Sequence, residues 1–251
     1  MMREFTEGRA WLRADGWRKR GSLETAQRAG EPEPAPQKDW AGSGDSMVLP
    51  SPEHGMTDVS VADALVRRRS KRSFVEDRAL SLEQLSFLLW SVQGVSGSDL
   101  RMRTSPSGGA RHPFETYLAV RRVDGLEPGL YGYDVASHAV HLLQPRSADD
   151  LRHRLSEGCL GQAFVGQAPV CFLWAARPER SEWRYGPLAH KLIALDAGHV
   201  CQNLYLAVEA LGAGTCGIGA YDQELLDELL DLDGQDEFVI YAAPVGFVRS
   251  R

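Results

Sequence analysis

Apolar residues at Leu82, Leu85, Leu88, Leu89 and Val92 recur at helical spacing behind Ser81, with Gln84 three residues after that serine and Gly94 at the end. This pattern predicts a capped helix that stops at Gly94. Upstream, Val59, Ala62, Leu65 and Val66 follow the same period after a possible cap at Thr57 or Asp58, and the basic run beginning Arg67-Arg68-Arg69 sits where a helix C-terminus favours cations. Further helices are predicted over 147–157 and 222–230. Residues 187–211 read as a long helix, apolar nearly all round (Leu188, Leu192, Ile193, Leu195, Val200, Leu204), as expected of one buried on most of its surface in the fold or at a dimer interface. Strand-like runs fall at 116–123, 130–134, 139–143, 170–176, 215–219 and 238–247, with Ala136-Ser137-His138 placed to turn an antiparallel hairpin. Helices and strands mix without βαβ alternation, so the fold class expected is α+β.

Two stretches break the pattern. Residues 1–55 are polar and turn-rich, with a polyproline-like Glu31-Pro32-Glu33-Pro34-Ala35-Pro36 and a flexible Gly42-Ser43-Gly44-Asp45-Ser46. They read as an N-terminal arm ahead of one domain over 56–251. Trp11, Trp17 and Trp40 are costly to leave in water, so the arm is expected to lie on the body or on a partner subunit. The second stretch, 95–115, is a long glycine-rich loop, and compact domains rarely keep such a loop without a functional reason.

Composition narrows the function classes. A net charge of −6 over 251 residues gives no general attraction to nucleic acid or to anionic membranes, so any basic function must be local. No run approaches the length needed to span a bilayer, and no secretion signal is visible. The four cysteines lie far apart without a C-x-x-C pair and read as reduced, buried thiols of a cytoplasmic protein.

Several local motifs carry competing readings. Gly212-Ala213-Gly214-Thr215-Cys216-Gly217 matches a dinucleotide fingerprint letter by letter, yet it follows a helix and enters a strand; a helix cap with a tight turn fits that order. The run Arg67–Arg72, broken by Ser70, is either a solvated helix end or an anion grip, because Arg68, Arg69 and Ser70 in one turn can hold a phosphate by charge-assisted hydrogen bonds. Small residues at 105–110 permit close backbone approach to a flat ligand, and Ser107 lacks the context of a hydrolase elbow. Asp196, His199 and Asn203 form a polar stripe on the long helix, without a further motif that would complete a metal site.

Taken in order, Arg68-Arg69-Ser70-Lys71-Arg72-Ser73-Phe74, Leu85-Ser86-Phe87-Leu88-Leu89-Trp90, Thr104-Ser105-Pro106-Ser107-Gly108-Gly109-Ala110-Arg111-His112-Pro113, Gly129-Leu130-Tyr131-Gly132-Tyr133-Asp134 and Gly198-His199-Val200-Cys201-Gln202-Asn203-Leu204 resemble the nitroreductase family, and particularly its SagB-type dehydrogenase branch. The resemblance spans 64–247. It implies a sandwich of helices around a central mixed sheet, an intertwined homodimer, and FMN at the interface. Carried over, it puts Arg68 and Ser70 at the FMN phosphate or ribityl chain, with Arg69 in the same basic run, and Arg72 near the N1/O2 edge of the ring. Pro106, Ser107 and Gly108 would approach the flavin of the other subunit, Gly219 and Ala220 would present amides near N5, and Arg249 would complete the phosphate site.

The activity implied is hydride transfer from NAD(P)H or the substrate itself to an electron-poor acceptor, the flavin doing the redox chemistry. Within the branch the alternative is an azoline dehydrogenase acting on a modified peptide; outside it, a flavin-binding scaffold without turnover. Azoline-oxidising members carry a Lys-Tyr pair where this chain has Arg184-Tyr185. An arginine stays protonated and cannot take the base role of a lysine, so Tyr185 is expected to relay a proton and Arg184 to bind an anionic or carbonyl group, unless the pair merely caps the helix entrance.

Overall fold

The computed structural model describes residues 5–55 and 57–248. In chain order the helices are α1 (Thr6–Leu12), α2 (Ala26–Ala29), α3 (Val61–Arg67), α4 (Leu82–Gln93), α5 (Ala148–Gly158), α6 (Ala163–Gln167), α7 (Glu179–Tyr185), α8 (Ala189–Ala210) and α9 (Gln223–Leu230). The strands are β1 (Ser46–Val48), β2 (Phe114–Val120), β3 (Gly129–Asp134), β4 (Ala139–Pro145), β5 (Val170–Ala176), β6 (Ala213–Thr215) and β7 (Phe238–Phe247). They form one sheet in the order β1-β4-β3-β2-β5-β7-β6. The sheet expected to be mixed pairs its named strands antiparallel throughout; parallel pairing is confined to the isolated bridges Ser70–Thr215 and Leu80–Val123.

Helices cover both faces of the sheet, which makes β5 wholly buried. Its even residues Val170, Phe172, Trp174 and Ala176 enter the core built with α4 and α8, and its odd residues Cys171, Leu173 and Ala175 enter the core built with α5 and α9. That is the period-two alternation of a strand with two dry faces. Helix α4 starts on the capping box Ser81/Gln84, ends at Gly94, and buries Leu85, Leu88, Leu89 and Val92 completely. Serine and aspartate caps also start α5 at Ser147 and α9 at Asp222.

Two expected helices come out differently. Helix α3 starts two to three residues late: Ser60, not Thr57 or Asp58, accepts the Asp63 N–H and caps it. Its expected apolar face is not covered within the single chain, since Ala64 is its buried residue while Val61, Leu65 and Val66 are exposed. Helix α8 packs on one face rather than all round, through Ala189, Ile193, Ala197, Val200, Cys201, Leu204 and Val208, and leaves Leu195 half exposed on the other. Between α3, α4 and α8 lies an open apolar groove of ≈ 470 Å³, lined by Val59, Val61, Phe87, Trp90 and Leu206.

The N-terminal segment lies against the body. Trp40 is buried edge-on to Tyr117, and β1 pairs with β4. Farther out, Glu33 bridges Arg101 and Arg111, the Pro36 carbonyl accepts from Arg103, and the Glu31 carbonyl accepts from the Trp183 indole.

Candidate functional site

The basic run leaves α3 in extended conformation and lies alongside β6, where Ser70 bridges Thr215 and the Lys71 N–H donates to the Thr215 carbonyl at 2.9 Å. Its members do different things. Arg67 faces Asp63 at 3.8 Å, and Arg69 turns back to donate to the Val66 and Arg68 carbonyls, so both are engaged with the end of their own helix. Arg68 lies over the ring of Tyr205 at 5.3 Å, and Arg72, exposed, has no ion-pair partner among the described residues.

Tyr205 connects this run to a second segment. Its hydroxyl lies 3.0 Å from Ser70 Oγ and accepts the Gly217 N–H at 2.8 Å. Beyond Gly217, Ile218 pairs with Ala242, and then Gly219 and Ala220 are exposed, with no partner for either amide among the described residues. Space is open where a Gly219 side chain would stand. Gly212 takes a left-handed φ of 65° between the end of α8 and β6, the helix cap and turn that the order of elements predicts.

The loop ahead of β2 is held by Asp196 of α8. This carboxylate accepts the Ser107 hydroxyl at 2.6 Å and the Gly108 N–H at 3.0 Å, while Ser107 Oγ also accepts the His112 N–H. The Ser107 hydroxyl and Gly108 amide are therefore committed inward, and Pro106 remains exposed. Gly109, Ala110 and His112 all adopt positive φ, the last two without the freedom of glycine. Burial of Asp196 raises its pKa, opposed by the Ser107 hydrogen bond. His199 stands 3.8 Å from Asp196, Asn203 donates to the Ser91 and Thr104 carbonyls, and no metal-ligating cluster occurs among the described residues.

Within one chain the basic run and the 106–110 loop do not meet. Asp196 and Tyr205, which hold them, are nine residues apart on α8, or about 14 Å along the axis and about two and a half turns around it. They face opposite sides of the helix.

Arg184 and Tyr185 close α7 and lie against the loop: a side chain on Gly109 would overlap the Tyr185 hydroxyl and stand 3.1 Å from Arg184 Nε. The Tyr185 hydroxyl has no hydrogen-bond partner among the described residues, and Arg184 Nε is buried without one. Trp17 of the N-terminal segment stands edge-on to the Tyr185 ring at 5.7 Å, and Lys191 donates to the Leu12 carbonyl beside it. The sequence reading expected Trp17 to lie on the body or on a partner subunit but did not find that it meets Tyr185, because these contacts run through a backbone carbonyl and one ring edge.

Beneath lies a buried polar cluster that the sequence reading also missed. Glu115, fully buried, is paired with Arg180 and accepts the Lys38 N–H at 2.6 Å. Burial raises the Glu115 pKa, and Arg180 opposes the rise. Glu237 accepts from Tyr117 and pairs with Lys38 Nζ at 2.9 Å. His112 is pushed down to about 4 by burial and by Arg103, so at neutral pH it is uncharged. The four cysteines are buried and unpaired, and burial pushes Cys159 and Cys201 up to about 12. No helix among the described residues is long and apolar enough to cross a membrane. Arg249 lies outside the described residues.

Known proteins are similar to this chain in sequence and fold. A nitroreductase-like protein of Methanocaldococcus jannaschii is 32% identical over 203 residues, which cover 81% of this chain and 98% of that protein. The crystal structure of a nitroreductase-like protein from Ralstonia eutropha JMP134 superposes with a TM-score of 0.69 at 30% identity, covering 88% of this chain and 99% of the other. The trifolitoxin-processing protein TfxB of Rhizobium leguminosarum bv. trifolii is 30% identical over 141 residues, 55% of this chain and 38% of that protein, which supports the SagB-type likeness of the motifs. The sequence model described as the Nitroreductase family matches residues 65–247, from the second turn of α3 to the end of β7, and the chain belongs to that family.

Proposed function

We propose that the chain is an FMN-dependent oxidoreductase acting as a homodimer, each flavin held by the basic run of one protomer and the 106–110 loop of the other. The observation that carries this reading is the separation of the two half-sites on opposite sides of α8. A two-fold axis beside that helix would bring one chain's loop to the other chain's basic run, and would cover Val61, Leu65, Val66 and Leu195.

The residues fit the cofactor. Arg68, Ser70 and Arg72 offer cationic and hydroxyl donors for a phosphate and for the anionic N1/O2 edge of a reduced ring, with Arg69 adding charge nearby. Gly219 and Ala220 offer unpartnered amides suited to N5. When bound, FMN supplies the hydride chemistry. The chain's own part is to hold the ring, to fix the Pro106-Ser107-Gly108 turn through Asp196, and to place Tyr185 and Arg184 at the substrate side. NAD(P)H or the substrate itself is the proposed donor, and the cytoplasm the proposed compartment.

The purified protein should be yellow, release FMN on denaturation at one per chain, and sediment at twice the chain mass. A colourless protein that takes up no added FMN would remove the proposal, and a monomer that retains FMN would remove its two-chain form. Arg68→Ala should weaken FMN by about 1.5–3 kcal/mol, the size of a hydrogen bond to a charged group. Titration of the apoprotein by flavin fluorescence measures it, and an unchanged affinity would return Arg68 to a solvated helix end.

A second reading, azoline oxidation on a modified peptide, follows from the SagB-type resemblance, and the similarity to a trifolitoxin-processing protein supports a peptide substrate. Against it stands Arg184 at the lysine position, since a guanidinium does not give up its proton near neutrality.

A further inference from the structure

The geometry points to Tyr205 as a positioning residue that ties the two ends of the cofactor site together, an inference that rests on the flavin reading above. A phenol hydroxyl has one proton and two lone pairs. The Gly217 N–H occupies one lone pair at 2.8 Å, and the Ser70 hydroxyl stands 3.0 Å away. If Tyr205 gives its proton to Ser70 Oγ, the Ser70 proton is left to point outward at an anion. The chain Gly217 N–H to Tyr205 O–H to Ser70 O–H then has one polarity, each donor strengthening the next, and a phosphate at Ser70 selects it. The opposite polarity would turn the Ser70 proton inward and present a lone pair to the anion, which repels it.

The ring has a separate task. Arg68 lies over its face at 5.3 Å, so the same side chain holds the cation that serves the phosphate and the hydroxyl that orients the serine. At the far end the backbone leaves no slack. A side chain on Gly217 would stand 2.5 Å from Tyr241 Oη and 3.1 Å from Cys201 Sγ, so the segment is packed flush against α8 and β7 and leads directly into Gly219 and Ala220. Tyr205 therefore sets the distance between the phosphate grip and the amides offered to N5. It touches neither reacting atoms nor, in this role, the ring system.

The test is Tyr205→Phe, which keeps the ring under Arg68 and removes only the hydroxyl. Three quantities are read: affinity for FMN, affinity for riboflavin, which lacks the phosphate, and amide exchange at Gly217 in the flavin-free protein. Loss of two hydrogen bonds should weaken FMN roughly tenfold and riboflavin severalfold, because the amide end is loosened as well. Gly217 exchange should quicken. Arg68→Ala serves as the contrast, weakening FMN without quickening Gly217 exchange, because the Tyr205 hydroxyl and its two hydrogen bonds remain. Faster Gly217 exchange with both flavins bound as before would make the hydroxyl merely structural and overturn the inference. A loss confined to FMN would reduce Tyr205 to a phosphate support and overturn the two-ended tie. Wild-type protein that binds neither flavin would remove the flavin reading, and the tie with it; wild-type binding alongside an unchanged Tyr205→Phe would remove the tie alone.

Discussion

Tyr185→Phe is expected to lower turnover by about 10²–10⁴-fold, the usual contribution of a positioned proton donor, with FMN affinity unchanged. The phenol lies against the Gly109 turn without a hydrogen-bond partner among the described residues, and Trp17 braces its ring. Loss of the hydroxyl removes a transferable proton and little packing. Flavin content and turnover should be measured separately on quinone, nitroaromatic and azoline substrates. Equal turnover by wild type and variant on all three would make Tyr185 a brace for the helix entrance. Arg184→Lys belongs in the same series, because a lysine there can shed its proton; azoline oxidation gained by that variant would show that this chain has departed from the peptide-modifying role.

Arg180→Ala should destabilise the fold by about 3–5 kcal/mol, since it leaves a buried carboxylate without its cation. Glu115 is fully buried and Arg180 nearly so, and the arginine also donates to the His112 carbonyl at 3.2 Å. The pH dependence follows from the direction of the shift. Burial holds the Glu115 pKa above its ordinary 4.5, so the folded state favours the protonated carboxyl, and stability from this group is present below the unfolded pKa and is lost as pH rises through the folded one. Removing Arg180 takes away the influence that opposes the rise. The deficit of the variant should therefore be largest at neutral pH and narrow on acidification. Urea denaturation at pH 7 and pH 5 measures it, and a deficit below about 1 kcal/mol, or one constant with pH, would contradict this account.

Where side-chain chemistry marks an element, the sequence located it well. The Ser81/Gln84 box, the helices expected over 147–157 and 222–230, and the continuous apolar runs of β5 and β7 came out within a residue or two. Helix α7 escaped because no side chain caps it and its buried residues are Arg180 and Ser181, so hydrophobic periodicity has nothing to register. Strand β1 escaped because all three of its residues are exposed. At the candidate site, the basic run, the small-residue loop and the Asp196 stripe were legible as chemistry. Tyr205 was not, because an aromatic residue inside an apolar helix reads as packing until the structure shows its hydroxyl between two segments.

The fastening of the N-terminal segment has a consequence for the order of folding. Leu12 waits for Lys191, 179 residues later; Glu31 waits for Trp183, 152 later; Lys38 waits for Glu237, 199 later. Strand β7 itself must slot between β5 and β6 after both have been made. A chain leaving the ribosome thus exposes Trp17 and Trp40 throughout most of its synthesis, since long-range contacts of this kind form late. The wall around Tyr185 needs the chain as far as Lys191, so a nascent chain passes most of its synthesis with that face of the candidate site unformed.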